Sequence, residues 1–172
     1  MRKHATDVAH PWWRKLRAVL SPPRPNLRER LARHYTAEIW LARLLAQDAE
    51  SLTRYPHQSV RVLDASEHAG RRAQRIQRAF KELTHLPTEP VTVRRVSGRT
   101  VWEQLHANIS ELSEMSEAYL ADAYAVERNH PETAGLLLQL HQEAAVDRRD
   151  LVWTLAQLEP TGVEASRAER VA

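Results

Sequence analysis

The sequence predicts an all-α fold: a four-helix bundle of two antiparallel hairpins joined by a long crossover, with a short amphipathic helix in front of it. Three observations predict this fold. Four long segments carry apolar residues at steps of three and four, the period of a helix buried on one side. Prolines and helix-capping residues separate the segments. The connections are short, long and short, which makes the two helices of each half antiparallel.

The first predicted helix begins at Asn26, because Glu29 three residues later completes a capping box. It ends near the sequence TRYP. The second helix begins at Pro56 and continues to about Leu83. Its apolar stripe consists of Val62, Ala65, Ala69, Ala73, Ile76, Phe80 and Leu83.

The third helix begins with a second capping box, Thr100 and Glu103, and ends at the sequence NHP. Pro131 suits the first turn of the fourth helix, where the missing N–H has no intrahelical partner. The fourth helix ends at Leu158, before EPTG. The connection THLPTEPVTVRRVSG can stretch ~50 Å, at ~3.3 Å per residue. A helix of ~28 residues is only ~42 Å long, so this connection is long enough to cross the bundle.

Charge divides the chain into a basic tail over residues 1–25, the bundle over 26–158 and a flexible polar tail over 159–172. The formal net charge is +3. In the first segment, Arg2, Lys3, Arg14, Lys15, Arg17 and Arg24 oppose Asp7, which gives +5 and leaves 3 − 5 = −2 for the remainder. The bundle itself is therefore not basic, and nucleic acid is not an expected partner.

Composition excludes several kinds of chemistry. There is no cysteine, which removes disulfides, thiolate nucleophiles and zinc–thiolate sites. Glycine occurs only 4 times, and no Gly-rich nucleotide fingerprint is present. No apolar run approaches the ~20 residues of a membrane span, and no secretory signal is evident. We expect a cytoplasmic protein, with the alternative of a peripheral position at a membrane.

Two stretches give the bundle a family resemblance. SEHAGRRAQRIQRAF resembles the second helix, and LLLQLHQEAAVDRRDLVWTL the fourth helix, of rubrerythrin-like proteins. The chain thus resembles the ferritin-like superfamily over residues 26–158. The resemblance implies a di-iron site with a Glu on the first and third helices and Glu-x-x-His on the second and fourth.

Carried over by position, the resemblance gives a set of candidate metal ligands. Two departures are evident: Ala65 stands where the Glu before His68 is expected, and Val146 stands where the His after Glu143 is expected. Asp64 lies one helical turn before His68, and Asp147 lies one turn after Glu143, so each pair shares a helix face. The candidate ligands are Glu38, Asp64, His68, Glu114, Glu143 and Asp147.

The alternative interpretation of the same residues is a polar layer, in which buried acids pair with His, Tyr or Arg. The short first turn supports it. A hairpin symmetric about Tyr55 and Pro56 places Glu38 near Ala73, more than one turn from His68.

Two further features point to partners. In the tail, Trp12, Leu16 and neighbouring apolar residues fall on one side of a short helix, which suits an anionic membrane surface, a groove on a partner protein or the bundle itself. The first helix is apolar nearly all round at AEIWLARLLA, which predicts a homo-oligomer, a dimer through that helix. The tail residues expected to dock are Trp12, Trp13, Arg14, Lys15, Leu16 and Arg17.

Arg71, Arg75 and Arg78 form a row at helical spacing on the second helix. This row is either an anion-binding face or the solvated side of that helix.

The sequence therefore favours a non-catalytic ferritin-like bundle, a binding or assembly module docked to a partner or an anionic membrane surface by its tail. No cofactor is expected in this case. The alternative is a non-haem di-iron protein of the ferritin or rubrerythrin kind, an oxidoreductase or an iron-handling protein holding iron or manganese.

Overall fold

The computed structural model describes residues 26–79 and 100–158. These ranges contain four helices, α1 (Leu27–Ser51), α2 (Pro56–Ala79), α3 (Val101–Val126) and α4 (Pro131–Gln157), and no strand. The predicted all-α class and the four helical segments are confirmed. The predicted N-terminal helix, the middle connection from residue 80 to 99 and the tail from 159 to 172 lie outside the described residues.

Both predicted capping boxes begin their helices. The Asn26 side chain accepts a hydrogen bond from the Glu29 N–H at 2.9 Å, and the Glu29 carboxylate accepts one from the Asn26 N–H at 3.2 Å. Thr100 and Glu103 make the same reciprocal pair at the start of α3. Each box satisfies backbone N–H groups that the first helical turn leaves without a partner.

Side-chain contacts between neighbouring helices show the direction of each helix. In each of the four closely packed pairs, residue numbers rise along one helix as they fall along the other, so these pairs are antiparallel. The contacts are Ser59–Ala49 and Ser66–Ala42 for α1 and α2, His34–Asp122 and Asn108–Asp48 for α1 and α3, His68–Asp147 and Arg75–Gln139 for α2 and α4, and Ser113–Arg148 and Ser116–His141 for α3 and α4.

These directions have a consequence for topology. Since α1 is antiparallel to both α2 and α3, the latter two run the same way. The C-terminal end of α2 and the N-terminal end of α3 therefore lie at opposite ends of the bundle.

The core is built from long side chains facing short ones. α1, α3 and α4 contribute fully buried leucines, and α2 contributes Ala65, Ala69 and Ala73. The small side chains of α2 allow its neighbours to approach closely. Burying a leucine contributes ~1.5–3 kcal/mol. The leucines that are at most 1 % exposed are Leu31, Leu45, Leu105, Leu112, Leu137, Leu140 and Leu151.

The apolar surface lies elsewhere than the sequence indicates. Ile39, Trp40 and Leu44, which make α1 apolar on every side, are half-buried within the single chain. The large exposed apolar residues of the described ranges are on the other three helices: Val60, Leu63, Tyr124, Leu138, Val146, Val152 and Trp153. None of the four helices is long and apolar enough to cross a membrane.

Candidate functional site, a buried polar layer

A connected set of polar side chains crosses the bundle and draws on all four helices. Glu38 of α1 is its most buried acid, at 0 % exposure, and Arg72 of α2 its most buried base, at 1 %. We call this set the polar layer. Its members are His34, Glu38, His68, Arg72, Tyr119, Asp122 and Asp147.

Helical spacing directs these polar groups into the core. Glu38 lies one turn before Leu41 and Ala42 on the inward stripe of α1. Arg72 follows Ala69 by three residues and precedes Ile76 by four, on the inward stripe of α2. Because residues three and four apart share a helix face, both side chains must point into the bundle.

Arg72 is the centre of the layer. Its Nε donates a hydrogen bond to Glu38 Oε1 at 2.6 Å, and its Nη1 donates to Asp147 Oδ2. The Tyr119 hydroxyl donates to the same Glu38 Oε1, also at 2.6 Å. One guanidinium thus links α1, α2 and α4, and the tyrosine adds α3. Arginine suits this role because its planar group presents several donors in fixed directions.

Burial and charge act in opposite directions on these groups. Burial raises the pKa of Glu38, and the Arg72 guanidinium only partly offsets that effect. Burial alone would lower the pKa of Arg72, but Glu38 and Asp147 outweigh it and hold the pKa above its ordinary value. Burial, followed by the charge of Glu38, raises the pKa of Tyr119. The layer therefore holds a permanent cation and a proton-donating phenol.

The layer reaches the surface through α2 and α4. His68 Nδ1 lies 2.6 Å from Asp147 Oδ1, and the His68 side chain is 45 % exposed. Asp147 accepts hydrogen bonds from the buried Arg72 on one oxygen and from this half-exposed imidazole on the other. Both of its carboxylate oxygens are therefore engaged.

At the opposite side, the layer ends at Asp122. His34 Nε2 lies 2.9 Å from Asp122 Oδ2, and Arg30 pairs with the other oxygen. The His34 ring stacks on Tyr119, with ring centroids 4.4 Å apart. Burial acts to raise the pKa of Asp122, but His34 and Arg30 outweigh it, so the pKa lies below its ordinary value.

We expect Asp122→Asn to lower the free energy of unfolding by about 1–2 kcal/mol at neutral pH, since a charged acceptor of two hydrogen bonds is lost. A lowered folded-state pKa means that this contribution is present above the ordinary pKa of 3.8 and disappears as the pH falls through the folded-state value. Urea unfolding at several pH values should therefore show the two proteins converging below pH 3.8.

The control for this experiment is Asp150→Asn, which removes an acid that is 55 % exposed and bonded only weakly to its neighbour Arg149. We expect almost no change in stability from it. An equal loss in the two variants, or a difference that persists in acid, would contradict the role assigned to Asp122.

The structure separates the candidate metal ligands into two groups. Glu38, His68 and Asp147 belong to the polar layer. Asp64 and Glu114 are exposed. Glu143, on the outer side of α4, pairs with Arg75 and is 47 % exposed.

The members of the layer do not fit a di-iron centre. The cation between Glu38 and Asp147 is the Arg72 guanidinium, which has no lone pair to offer a metal. Within residues 26–79 and 100–158, no three His, Asp or Glu side chains are grouped so that they could hold a metal ion.

The residues that complete the layer are ones that sequence reasoning missed. Arg72 lies on the alanine stripe of α2, but the interpretation of that helix considered only the neighbouring row of arginines. Its spacing from Ala69 and Ile76 is the signal that identifies it. Tyr119 is a core residue of α3, at 0 % exposure. Its hydrogen bond to Glu38 requires the packing of α1 against α3.

Two further sets of predicted binding residues are the arginine row of α2 and the basic tail. The arginine row of α2 is at the surface, where Arg71 lies 3.4 Å from Glu67 and Arg75 pairs with Glu143 and Gln139. Acids and amides of the chain itself thus occupy part of that row. The tail residues Trp12, Trp13, Arg14, Lys15, Leu16 and Arg17 lie outside the described residues.

The chain matches no protein-family model, no curated protein and no solved structure.

Proposed function

We propose that this chain is a non-catalytic ferritin-like bundle that serves as a binding or assembly module. The observation that carries the proposal is Arg72, whose guanidinium bonds both inward-facing carboxylates, Glu38 and Asp147. In a bundle that binds two metal ions, carboxylates of facing helices converge on the metals. Here the positive charge between the two carboxylates is that of the Arg72 guanidinium.

The helix directions support the ferritin-like part of the proposal. In that superfamily a long crossover joins two antiparallel hairpins. A crossover is needed here because α2 and α3 run the same way, as their contacts with α1 and α4 indicate. A short loop between these helices would instead have made them antiparallel.

The second candidate is a metal-binding oxidoreductase or iron-handling protein of the same superfamily. One observation favours it: Glu38, His68 and Asp147 all belong to one connected layer, as ligand residues would. Against it stand the guanidinium between the two acids and the exposed positions of Asp64 and Glu114.

Metal analysis separates the two candidates. The protein is expressed with added iron and manganese, purified without chelator, and its bound metal is measured by mass spectrometry. We expect a content well below one ion per chain, equal in the wild type and in Glu38→Ala. About two ions per chain in the wild type, lost in Glu38→Ala, would favour the di-metal protein instead.

Docking is assigned to the basic tail, on the evidence of its sequence. Tryptophans beside cations bind well at the level of lipid headgroups, and the same composition suits a groove on a protein. The bundle offers less for such docking, since its formal charge is negative once residues 1–25 are set aside.

Vesicle binding tests the membrane version of docking. We expect the full chain to bind vesicles with anionic headgroups and to bind neutral ones weakly, and a chain lacking residues 1–20 to bind neither. A variant with Trp12→Ala and Trp13→Ala keeps the charge and isolates the contribution of the indoles. Equal binding by the full and shortened chains would exclude the membrane version and leave the protein groove.

A further inference from the structure

The exposed side of α3 is acidic. This helix carries five acids and no lysine or arginine, whereas α1, α2 and α4 all contain arginines. Exposed residues follow one another along it at steps of four and three, the spacing by which one helix packs along another. We call this set the α3 face, which consists of Ser110, Glu114, Glu117, Ala121 and Tyr124.

The two acids on this face are not engaged by the rest of the bundle. Asp122, one turn away, already accepts hydrogen bonds within the polar layer. Glu114 and Glu117 are exposed, and the side chain of neither forms an ion pair or a hydrogen bond within residues 26–79 and 100–158. Tyr124 is 67 % exposed, the highest value among the large exposed apolar residues of these ranges. The face thus offers two carboxylates and, ~11 Å further along the helix, an exposed ring.

We propose that the α3 face binds the basic tail, residues 1–25 of the same chain. The tail contains six arginines and lysines and one acid, which complements a helix whose charged residues are all acids. Because the tail is tethered to the bundle, its effective concentration at this face is high. The inference goes beyond the proposed function, because it assigns a surface of the bundle. Its consequence for membrane docking rests on that function.

The point at which the tail joins the bundle lies close to this face. The tail ends at Asn26, the N-cap of α1. The first turns of α1 pack beside the last turns of α3, since His34 contacts Asp122. From Asp122 to Glu114 the distance along α3 is ~12 Å, at 1.5 Å per residue. Arg17 precedes Asn26 by nine residues, which span up to ~30 Å when extended. The tail is therefore long enough to bring its bases to both exposed acids.

Charged and apolar contacts match in a single register. The helix predicted for the tail leads toward the start of α1, so along this face it runs parallel to α3, which ends on the same side of the bundle. When the apolar end of the tail helix is level with Tyr124, two arginines lie within one turn of the two exposed acids, a distance that arginine side chains span. The pairs are then Leu20 with Tyr124, Arg17 with Glu117, and Arg14 with Glu114.

The charge of the face disfavours other occupants. A second copy of α3 would place acids against acids, and an anionic membrane would be repelled by the same two carboxylates. The connection over residues 80–99 carries four arginines and lysines and two acids, a smaller excess of positive charge than that of the tail. It also joins α3 at Thr100, the end remote from Tyr124.

Binding to the α3 face competes with docking elsewhere. The cations that pair with this face are the ones that anionic headgroups would bind, so the two interactions exclude each other. Exposed ion pairs are individually weak and are screened by salt, so the tail is held reversibly. A surface with a higher density of negative charge displaces it. The α3 face therefore raises the charge density that a membrane needs before it binds the protein.

Cysteine cross-linking tests the contact, since the chain has no cysteine of its own. Leu16→Cys in the tail is combined with Ala121→Cys on the α3 face, and a short bismaleimide is added to the full chain. The control combines Leu16→Cys with Gln74→Cys on α2. Both target positions are exposed and lie five residues before the end of a helix that packs against α1. We expect cross-linking within one chain to be more than ~tenfold faster at Ala121→Cys, with circular dichroism to verify folding.

Charge reversal shows whether the acids hold the tail. Glu114→Lys with Glu117→Lys should reduce the cross-linking rate at Ala121→Cys to that of the control pair. Asp64→Lys with Glu67→Lys makes the same change in charge at exposed positions of α2 and should leave the rate unchanged. Equal rates for the two cysteine pairs would overturn the proposal. So would a rate at Ala121→Cys that the reversal on α3 does not alter.

Vesicle binding measures the consequence for docking. In the chain without introduced cysteines, Glu114→Lys with Glu117→Lys should bind anionic vesicles roughly threefold or more tightly than Asp64→Lys with Glu67→Lys. Both variants add the same charge, but only the first releases the tail, so equal affinities would contradict the competition. If no variant binds vesicles, the membrane version of the proposed function fails while the cross-linking result stands, so the two failures are distinguishable.

Discussion

Arg72→Met is expected to lower the free energy of unfolding by about 3–5 kcal/mol, the usual cost of removing one partner from a buried ion pair. Methionine approximates the length of the arginine stem, so little volume is lost. Removal of the guanidinium leaves Glu38 and Asp147 without their shared cation, although both acids are almost fully buried. Chemical denaturation followed by circular dichroism measures the effect.

This loss should depend on pH in a definite direction. Burial already raises the pKa of Glu38, and removal of Arg72 takes away the charge that opposes this rise. A carboxyl with a raised folded-state pKa binds more protons when folded than when unfolded, so stability falls as pH rises above the ordinary value of 4.5. The deficit of Arg72→Met should thus be smaller near pH 5 than at pH 7.

The control for Arg72→Met lies one turn away on the same helix. Arg75 also pairs with an acid of α4, Glu143, but the two side chains are 32 % and 47 % exposed. Because exposed ion pairs contribute about 0–1 kcal/mol, Arg75→Met should change stability by no more than that. Equal losses in the two variants would mean that Arg72 is not the centre of a buried network.

Replacing the whole centre of the layer should recover most of the loss. We expect a variant with Glu38→Leu, Arg72→Met, Tyr119→Phe and Asp147→Leu to be more stable than Arg72→Met by about 3 kcal/mol or more. Apolar groups of similar volume often replace a buried ion network at little cost, because the network must first lose its hydration. Two atoms of the layer, Glu38 Oε2 and Arg72 Nη2, have no hydrogen-bond partner among the described residues, which adds to that cost.

Comparison of the single and combined variants in the same denaturation experiment gives the net contribution of the layer. A combined variant close to the wild type would show that the layer is not retained for stability. The layer would then act on the register of the helices, which buried polar groups specify in some proteins. A combined variant as unstable as Arg72→Met alone would contradict this expectation and assign net stability to the layer.

The sequence predicts part of the polar layer, because the short turn at Tyr55 determines the register of α1 against α2. The short turn at Tyr55 predicts that Glu38 lies near Ala73, and the structure bonds Glu38 to the adjacent residue, Arg72. Glu38 lies three residues from Leu41, and Asp147 lies between Ala144 and Leu151 at steps of three and four, so both acids share a face with buried apolar residues and are themselves buried. Hairpins with short turns make such reasoning reliable, since they leave little freedom in register.

The side-chain contacts between the two hairpins could not be predicted in this way. His68 was predicted to lie more than one turn from Glu38, yet Arg72 and Asp147 connect the two residues. The contact of His34 with Asp122 likewise joins residues of different hairpins. Their relative height depends on how the hairpins dock, which no local spacing determines.

The amino-acid sequence by itself determined the four helices, their caps, their inward faces and the pairing within each hairpin, because helical period and turn length act over a few residues. Only the tertiary structure decided that Arg72 is the cation between the inward acids and that the large exposed apolar residues lie on α2, α3 and α4 rather than on α1. A polar residue on an apolar stripe acquires its partner from another helix. An apolar face is free or covered according to what packs on it, and both depend on how the hairpins dock.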